Sequence, residues 1–279
     1  MNVESPAGSG AGEPWLFVEP DAGVLMSWLE PSAEGQALRY SVLDGAAWGP
    51  VRTVDSRSDR FVNWADFPSL IRLLDGSLAG HWLQRTGPDT YAYEVQLSRS
   101  TDNGQIWSDP VTPHTDETQT EHGFVSLSPG GAAGSVHAVW LDGRNYADPD
   151  SDPPFMTLRH AEVAADGSLT GEVELDPRTC DCCQTSAAVT ESGMVVAYRG
   201  RTRDEIRDIR VVRRGEQGWS NPSVVHADGW MIPSCPVNGP AIAATGNLVA
   251  VAWFTAASDS PRVLLAFSDD GGESFEAPI

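Results

Sequence analysis

The sequence has little positive charge. Lys and Arg number 18 against 39 Asp and Glu, a formal net charge of −21. A surface this acidic repels phosphate backbones, which bind through Lys and Arg. Nucleic acid and anionic membrane faces are therefore excluded as partners. Apolar runs long enough to span a bilayer are absent, and no secretory leader opens the chain. There is no Gly-rich phosphate loop, no H-E-x-x-H and no G-x-S-x-G. Cysteine is scarce at four residues, and their overall spacing is unlike that of the usual C-x-x-C zinc ribbons.

What is present points to β-structure. Hydrophobic residues make up 41%, enough for a sizeable core, and 27 Gly, 20 Pro and 10 Trp suit many turns with aromatic packing. Residues 1–14 are rich in Gly, Ser, Ala and Pro and read as a flexible tail ahead of a single domain over 15–279. Such a tail suits a chain exported to the periplasm or secreted, with a lipid anchor as one route of attachment.

The domain is repetitive. Trp28-Leu29, Trp82-Leu83, Trp140-Leu141, Tyr198-Arg199 and Trp253-Phe254 each close an apolar stretch, at spacings of 54, 58, 58 and 55 residues. Repeats of this length mark propellers and solenoids. A turn precedes most of these stretches, such as Asp75-Gly76 and Ser192-Gly193. A blade ending follows four of the five aromatics, at Trp48-Gly49-Pro50-Val51, Trp107-Ser108-Asp109-Pro110-Val111, Trp219-Ser220-Asn221-Pro222 and Phe275-Glu276-Ala277-Pro278. The third repeat has Leu169 to Leu175 there instead. Each unit reads as four short strands, one blade of an all-β propeller.

Two stretches sharpen this. Ser100 to Trp107 fits S-x-D-x-G-x-x-W, and Ser268 to Phe275 fits the same pattern with Phe. Asp caps backbone amides, Gly takes a positive φ, and the aromatic packs between sheets. This is the Asp-box, and on it the chain resembles the sialidase/BNR-repeat superfamily from about Trp15 onward. The resemblance implies six blades, whereas five repeats are visible. Two readings stay open: a five-bladed variant, or a chain incomplete at its C-terminal end.

The same resemblance implies three arginines on an anionic sugar, a Tyr nucleophile with a Glu, and an Asp acid/base. The first arginine belongs to an F/Y-R-I-P motif. The matching stretch here is Ala65-Asp66-Phe67-Pro68, so Asp66 stands in its place and would repel a carboxylate. The Glu position falls at Cys183-Gln184-Thr185-Ser186. Arg199 matches the second arginine, and no residue near Asn238-Gly239-Pro240 matches the third. Fold does not carry function by itself.

The cysteines fall in two places one repeat apart. Cys180, Cys182 and Cys183 form C-x-C-C, and Cys235 precedes Pro236-Val237-Asn238-Gly239-Pro240. Both places open a blade, and blade openings converge on one propeller face, so the thiols are expected to meet. One outcome is ligation of a soft ion, Cu(I) or Zn(II), by Cys180, Cys182, Cys183 and Cys235 with His122 near. Others are thiol chemistry or disulfides. A single bridge from Cys183 or Cys180 to Cys235 would leave two thiols over, and bridging the adjacent Cys182 and Cys183 is strained.

Arginines cluster in Arg199 to Arg210, with Arg199, Arg203 and Arg207 as candidate ligand-binding groups beside Asp66. The alternative is an ion-pair ladder with Asp204, Glu205 and Asp208. His81, Arg85, His137 and Arg144 read as lining or core residues. Asp142, Asp181, Asp204, Glu205 and Asp208 leave a glycosidase carboxylate pair open. The functional expectation is an exported sialidase-like propeller whose degenerate site is replaced by a cysteine face. The alternatives are a glycoside hydrolase, or a non-catalytic glycan-binding propeller stapled by disulfides. The partner is a small molecule, a glycan or a metal ion.

The missing arginine and Glu predict that the protein does not hydrolyse sialosides. Release of a fluorogenic leaving group from an aryl sialoside should stay at background. Robust release that is abolished by Arg199→Ala would reverse this reading.

Overall fold

The computed structural model describes residues 3–19, 23–151 and 154–279. Twenty β-strands and two short 3-10 turns make up its regular structure, with no α-helix among the described residues. The chain divides into two compact units, Met1–Ala138 with Ala161–Gly171, and Val139–His160 with Glu172–Ile279.

The strands form five antiparallel sheets in chain order. The first holds β1 (Gly12–Val18), β2 (Val24–Ser32), β3 (Gly35–Asp44), β4 (Ala47–Trp48) and β5 (Arg52–Arg57). The second holds β6 (Ser69–Arg72), β7 (Leu78–Arg85) and β8 (Tyr93–Ser100). The third holds β9 (His122–Pro129), β10 (Val136–Asp142), β11 (Thr157–Val163) and β12 (Leu169–Asp176). The fourth holds β13 (Ser186–Thr190), β14 (Gly193–Arg199), β15 (Ile209–Gly215), β16 (Gly218–Trp219) and β17 (Ser223–Val224). The fifth holds β18 (Ala241–Thr245), β19 (Leu248–Thr255) and β20 (Arg262–Ser268).

Each sheet is an up-and-down meander, the blade unit of a propeller, and proline explains the uneven strand numbers. In the first and fourth sheets β3 and β15 each pair with two short strands, β4 with β5 and β16 with β17. Pro50 and Pro222 lie in the breaks. Proline has no amide to give the ladder, so the outer strand splits there. In the second and fifth sheets the fourth strand shrinks to one bridging residue. Val111 exchanges bonds of 2.8 and 2.9 Å with Leu97, and Ile279 exchanges bonds of 2.9 and 3.1 Å with Leu265. Each follows a proline, Pro110 or Pro278. Four strands per blade is thus the common plan. Paired backbone also reaches into the expected tail: β1 starts at Gly12, opposite Leu29, and the Gly8 amide donates to Glu30.

The repeating aromatics are among the largest buried side chains: Trp28, Trp82, Trp140, Tyr198 and Trp253. Burial strips their polar atoms of water, so four of the five donate to a carboxylate. Trp28 donates to Glu30 (2.9 Å), Trp140 to Asp142 (2.8 Å), Trp253 to Asp228 (2.7 Å) and Tyr198 to Asp176 (2.6 Å). Trp82 carries Arg57 and Arg60 over its ring instead, at 5.0 and 5.4 Å.

The two S-x-D-x-G-x-x-aromatic turns repeat one another bond for bond. Asp102 accepts from the amides of Gln105 and Ile106, and Ser100 accepts from Gly104. Asp270 accepts from Glu273 and Ser274, and Ser268 from Gly272. Trp107 then packs on the core of Leu25, Leu38, Leu70 and Trp82. Phe275 packs on that of Val195, Val211, Val251 and Trp253.

Gly104 sits at φ +77, and a Cβ there would meet the Tyr40 hydroxyl at 1.9 Å. That hydroxyl donates to the Asn103 carbonyl. Gly45 has φ +59 and nothing within 4 Å. Gly45→Ala should therefore cost only the left-handed backbone term, about 1 kcal/mol, whereas Gly104→Ala should cost about 3 kcal/mol because Tyr40 must also move. Urea denaturation of the two variants checks this.

Candidate functional site

The cysteines gather in the second unit, on loops that open the fourth and fifth sheets. Between β12 and β13 the chain is pinned from both sides. Thr179 donates its amide and hydroxyl to the Met156 carbonyl (2.9 and 3.1 Å), and Cys180 donates its amide to Arg199 (3.0 Å). Asp181 accepts from the Met156 amide (3.2 Å) and from Arg201 (2.6 Å). The loop holding Cys235 comes close at Gly239, where a Cβ would meet the Gln184 carbonyl oxygen at 2.0 Å. Val237, in the same loop, has φ +55. That is a true outlier for a β-branched residue, of the kind found where a structure over-determines its backbone.

Cys182 and Cys235 form a disulfide with Cα atoms 6.1 Å apart, inside the ordinary range. Cys180 and Cys183 are free thiols, both fully buried. The bridge thus uses the middle cysteine of C-x-C-C, not Cys180 or Cys183 as the single-bridge alternatives had it. The turn at 181–182 explains the choice, because it faces Cys180 and Cys183 inward and leaves Cys182 partly accessible beside the exposed Cys235. The sulfurs of Cys180, Cys182 and Cys183 lie within 4.8 Å of one another, and Cys180 Sγ is 3.9 Å from Cys182 Sγ.

Two buried guanidiniums border the sulfurs. Arg207 donates to Cys180 Sγ at 3.3 Å and to Glu205 at 2.9 Å. Arg199 donates to the carbonyls of Asn238 (2.8 Å), Arg207 (2.6 Å) and Phe254 (2.8 Å), lies 4.9 Å over the Trp230 ring, and acts on the Cys183 thiol through its charge. Burial alone would push the Cys180 thiol up. The Cys183 thiol, the Cys182 amide and Arg207 outweigh it and hold Cys180 at about 7, below a thiol's usual value. Burial pushes the Cys183 thiol up, and the neighbouring Cys180 pushes it further.

Of the arginines singled out in the sequence, Arg199 and Arg207 touch the cluster, while Arg203 is exposed on the turn from Thr202 to Ile206. Arg201 was not singled out, yet it forms the ion-pair frame with Asp181 and Glu205 (2.6 and 2.9 Å). Asp208 accepts from the amides of Gly229 and Trp230, and Asp142 from Trp140 and Arg144. Asn238 and Trp230 carried no chemical signal in the sequence, because they act through a carbonyl and a ring face.

Asp66 and His122 belong to the first unit. His122 donates or accepts at Asp116 (2.9 Å) and Thr120 (3.1 Å) and stacks on His114 at 4.3 Å. Asp66 is buried, accepting from the Tyr93 hydroxyl (2.8 Å) and the Phe124 amide (2.7 Å). The same hydroxyl lies 2.6 Å from Glu121. One phenol proton cannot serve both carboxylates. Burial pushes Asp66 up to about 7 against the pull of these two donors.

No family model matches the sequence, and no curated protein matches it. Solved structures do. A thermostable family-43 glycoside hydrolase aligns over 99% of this chain and 96% of its own, with TM-score 0.55 and 12% identity. The α-L-arabinofuranosidase Arb93A of Fusarium graminearum aligns over 95% and 79%, with TM-score 0.59 and 13% identity. The NanB sialidase of Streptococcus pneumoniae aligns over 95% and 60%, with TM-score 0.53 and 9% identity. With the five meander sheets, these likenesses show the fold of an all-β propeller. At these identities the likeness is one of fold.

Asp66 holds its proton more tightly in the folded chain than at the ordinary value near 3.9. Its stabilising contribution is therefore complete below about pH 4, is lost as pH rises toward 7, and is flat above. Wild type should lose up to about 1.4 kcal/mol per pH unit across that window relative to Asp66→Asn, whose amide keeps the Phe124 bond and cannot titrate. Urea denaturation of both proteins at several pH values checks this. Parallel pH profiles would contradict it.

Proposed function

We propose that the protein is an exported, Asp-box-type propeller whose cysteine face carries out thiol–disulfide exchange. The single observation behind this reading is Cys180 Sγ lying 3.9 Å from the Cys182 sulfur of a bridge whose other half, Cys235, is exposed. Exchange proceeds by attack of a thiolate on a disulfide sulfur. Within the chain, the Cys180 thiolate attacks Cys182 Sγ, a Cys180–Cys182 bond forms, the Cys182–Cys235 bond breaks, and Cys235 leaves as a thiolate. An external dithiol would attack at Cys235, release Cys182 as a thiolate beside Arg199 and Arg207, and close its own disulfide as Cys235 departs.

The bridge also supports an oxidising compartment outside the cytosol, where such bonds persist. A second reading, a propeller acting on or binding glycans, draws support from the solved neighbours named for glycosidases. It requires no cysteine, which separates the two.

Unreduced protein should be held at pH 8 with a thiol-alkylating reagent and mapped by mass spectrometry. Label should accumulate on Cys235 with a new Cys180–Cys182 bridge, and Cys180→Ser should stop it while Cys183→Ser does not. A redox titration should place the disulfide above about −300 mV, outside the range of inert structural bridges. Absence of Cys235 labelling, or equal labelling in Cys180→Ser, together with a lower midpoint, would leave the bridge a staple.

A further inference from the structure

The three sulfurs on the inner side of the cluster have a second use once the bridge is open. A metal centred among three thiolates at about 2.3 Å places those sulfurs about 4 Å apart. Cys180 and Cys182 are already at 3.9 Å, and Cys183 lies within 4.8 Å of both. In the bridged form Cys182 is a disulfide sulfur and donates poorly. Cleavage turns it into a third thiolate without any movement of Cys180 or Cys183.

We infer that the Cys182–Cys235 disulfide gates a three-sulfur site for a soft monovalent cation of the Cu(I) class, formed by Cys180, Cys182 and Cys183. The buried guanidiniums of Arg199 and Arg207 lie beside the negative charge that three thiolates would carry, but Arg207 also pairs with Glu205, so it is the donors rather than charge that select the ion. Thiolate donors suit Cu(I), and three of them suffice for it, whereas structural Zn(II) sites take four ligands. Cys235, on the far side of the bridge, is released rather than recruited. The chemistry balances simply: an external dithiol supplies two electrons and is oxidised to its disulfide, Cys182 and Cys235 become thiols, and Cu(I) displaces three protons from the three inner thiols.

This inference rests on the opening of the bridge, and Cys235→Ser separates the two ideas because it leaves Cys182 free without any reductant. The full-length variant should be titrated anaerobically with Cu(I) in competition with a chromogenic Cu(I) chelator, and examined by native mass spectrometry. A single Cu(I) per chain is expected in Cys235→Ser and in reduced wild type, with the unreduced wild type losing its metal to the chelator. Adding Cys183→Ser to Cys235→Ser should abolish retention, and circular dichroism of each apo variant reports whether it folds. If folded Cys235→Ser retains no Cu(I), the three-sulfur site is wrong whatever the bridge does. If unreduced wild type retains Cu(I) as tightly as the variant, the gating is wrong. If Cys235→Ser retains Cu(I) while wild type cannot be reduced under native conditions, the site stands and the exchange reading falls.

Discussion

The cysteine face depends on one buried cation. Arg199 ends β14 with its guanidinium wholly enclosed, and among the described residues no carboxylate forms an ion pair with it, Asp228 acting only through space. Removing such a charge from water costs several kcal/mol. Three charge-assisted bonds to carbonyls, each about 1.5–3 kcal/mol, and the Trp230 face offset that cost. The carbonyls come from the start of β15's lead-in, from the end of β19 and from the loop that follows Cys235. A single side chain thus sets the distance between the two loops that bear the sulfurs. Carbonyl dipoles leave the charge itself unneutralised. The Cys183 and Cys180 thiols and the Asp228 carboxylate lie within reach of that charge, while the Cys183 thiol, the Cys182 amide and Arg207 hold Cys180 down.

The scaffold was legible because its signals are local. An aromatic closing an apolar strand recurs at a fixed interval, and each such aromatic became a core residue. The two serine–aspartate–glycine turns are read within eight residues, and their bonds form as the residue types require. The convergence of Cys235 on C-x-C-C was also legible, since equivalent blade openings lie side by side.

Pairing within the cluster was not legible. Which of three nearly adjacent cysteines reaches Cys235 depends on a turn at 181–182, a matter of backbone direction that composition does not encode. The roles of the arginines escaped for a similar reason. Arg199 matched a sugar-binding position in the resembled superfamily, yet here its donors go to backbone carbonyls. Arg201, unremarkable in sequence, frames the loop through Asp181 and Glu205. Asp66 was read by its charge, whereas its surroundings make it a proton-holding group bonded to Tyr93 and the Phe124 amide.

The bridge between Cys182 and Cys235 spans 53 residues. On loop-entropy grounds a link of that length stabilises a chain by about 4 kcal/mol when nothing else joins the two segments. Here much else does. Ile242 donates to Ser186, Glu191 to Gly246, and Ser192 to Asn247, while Val195, Val211, Val251 and Trp253 share one core. The fourth and fifth sheets are already held where the disulfide would hold them, so its loss leaves both blades packed. A staple is most useful where other ties are few, and this one lies where they are many. Its distinguishing surroundings are instead chemical: one accessible sulfur, two enclosed thiols and two guanidiniums. A bond that the fold can spare, set among groups that favour thiolate, is suited to being made and broken.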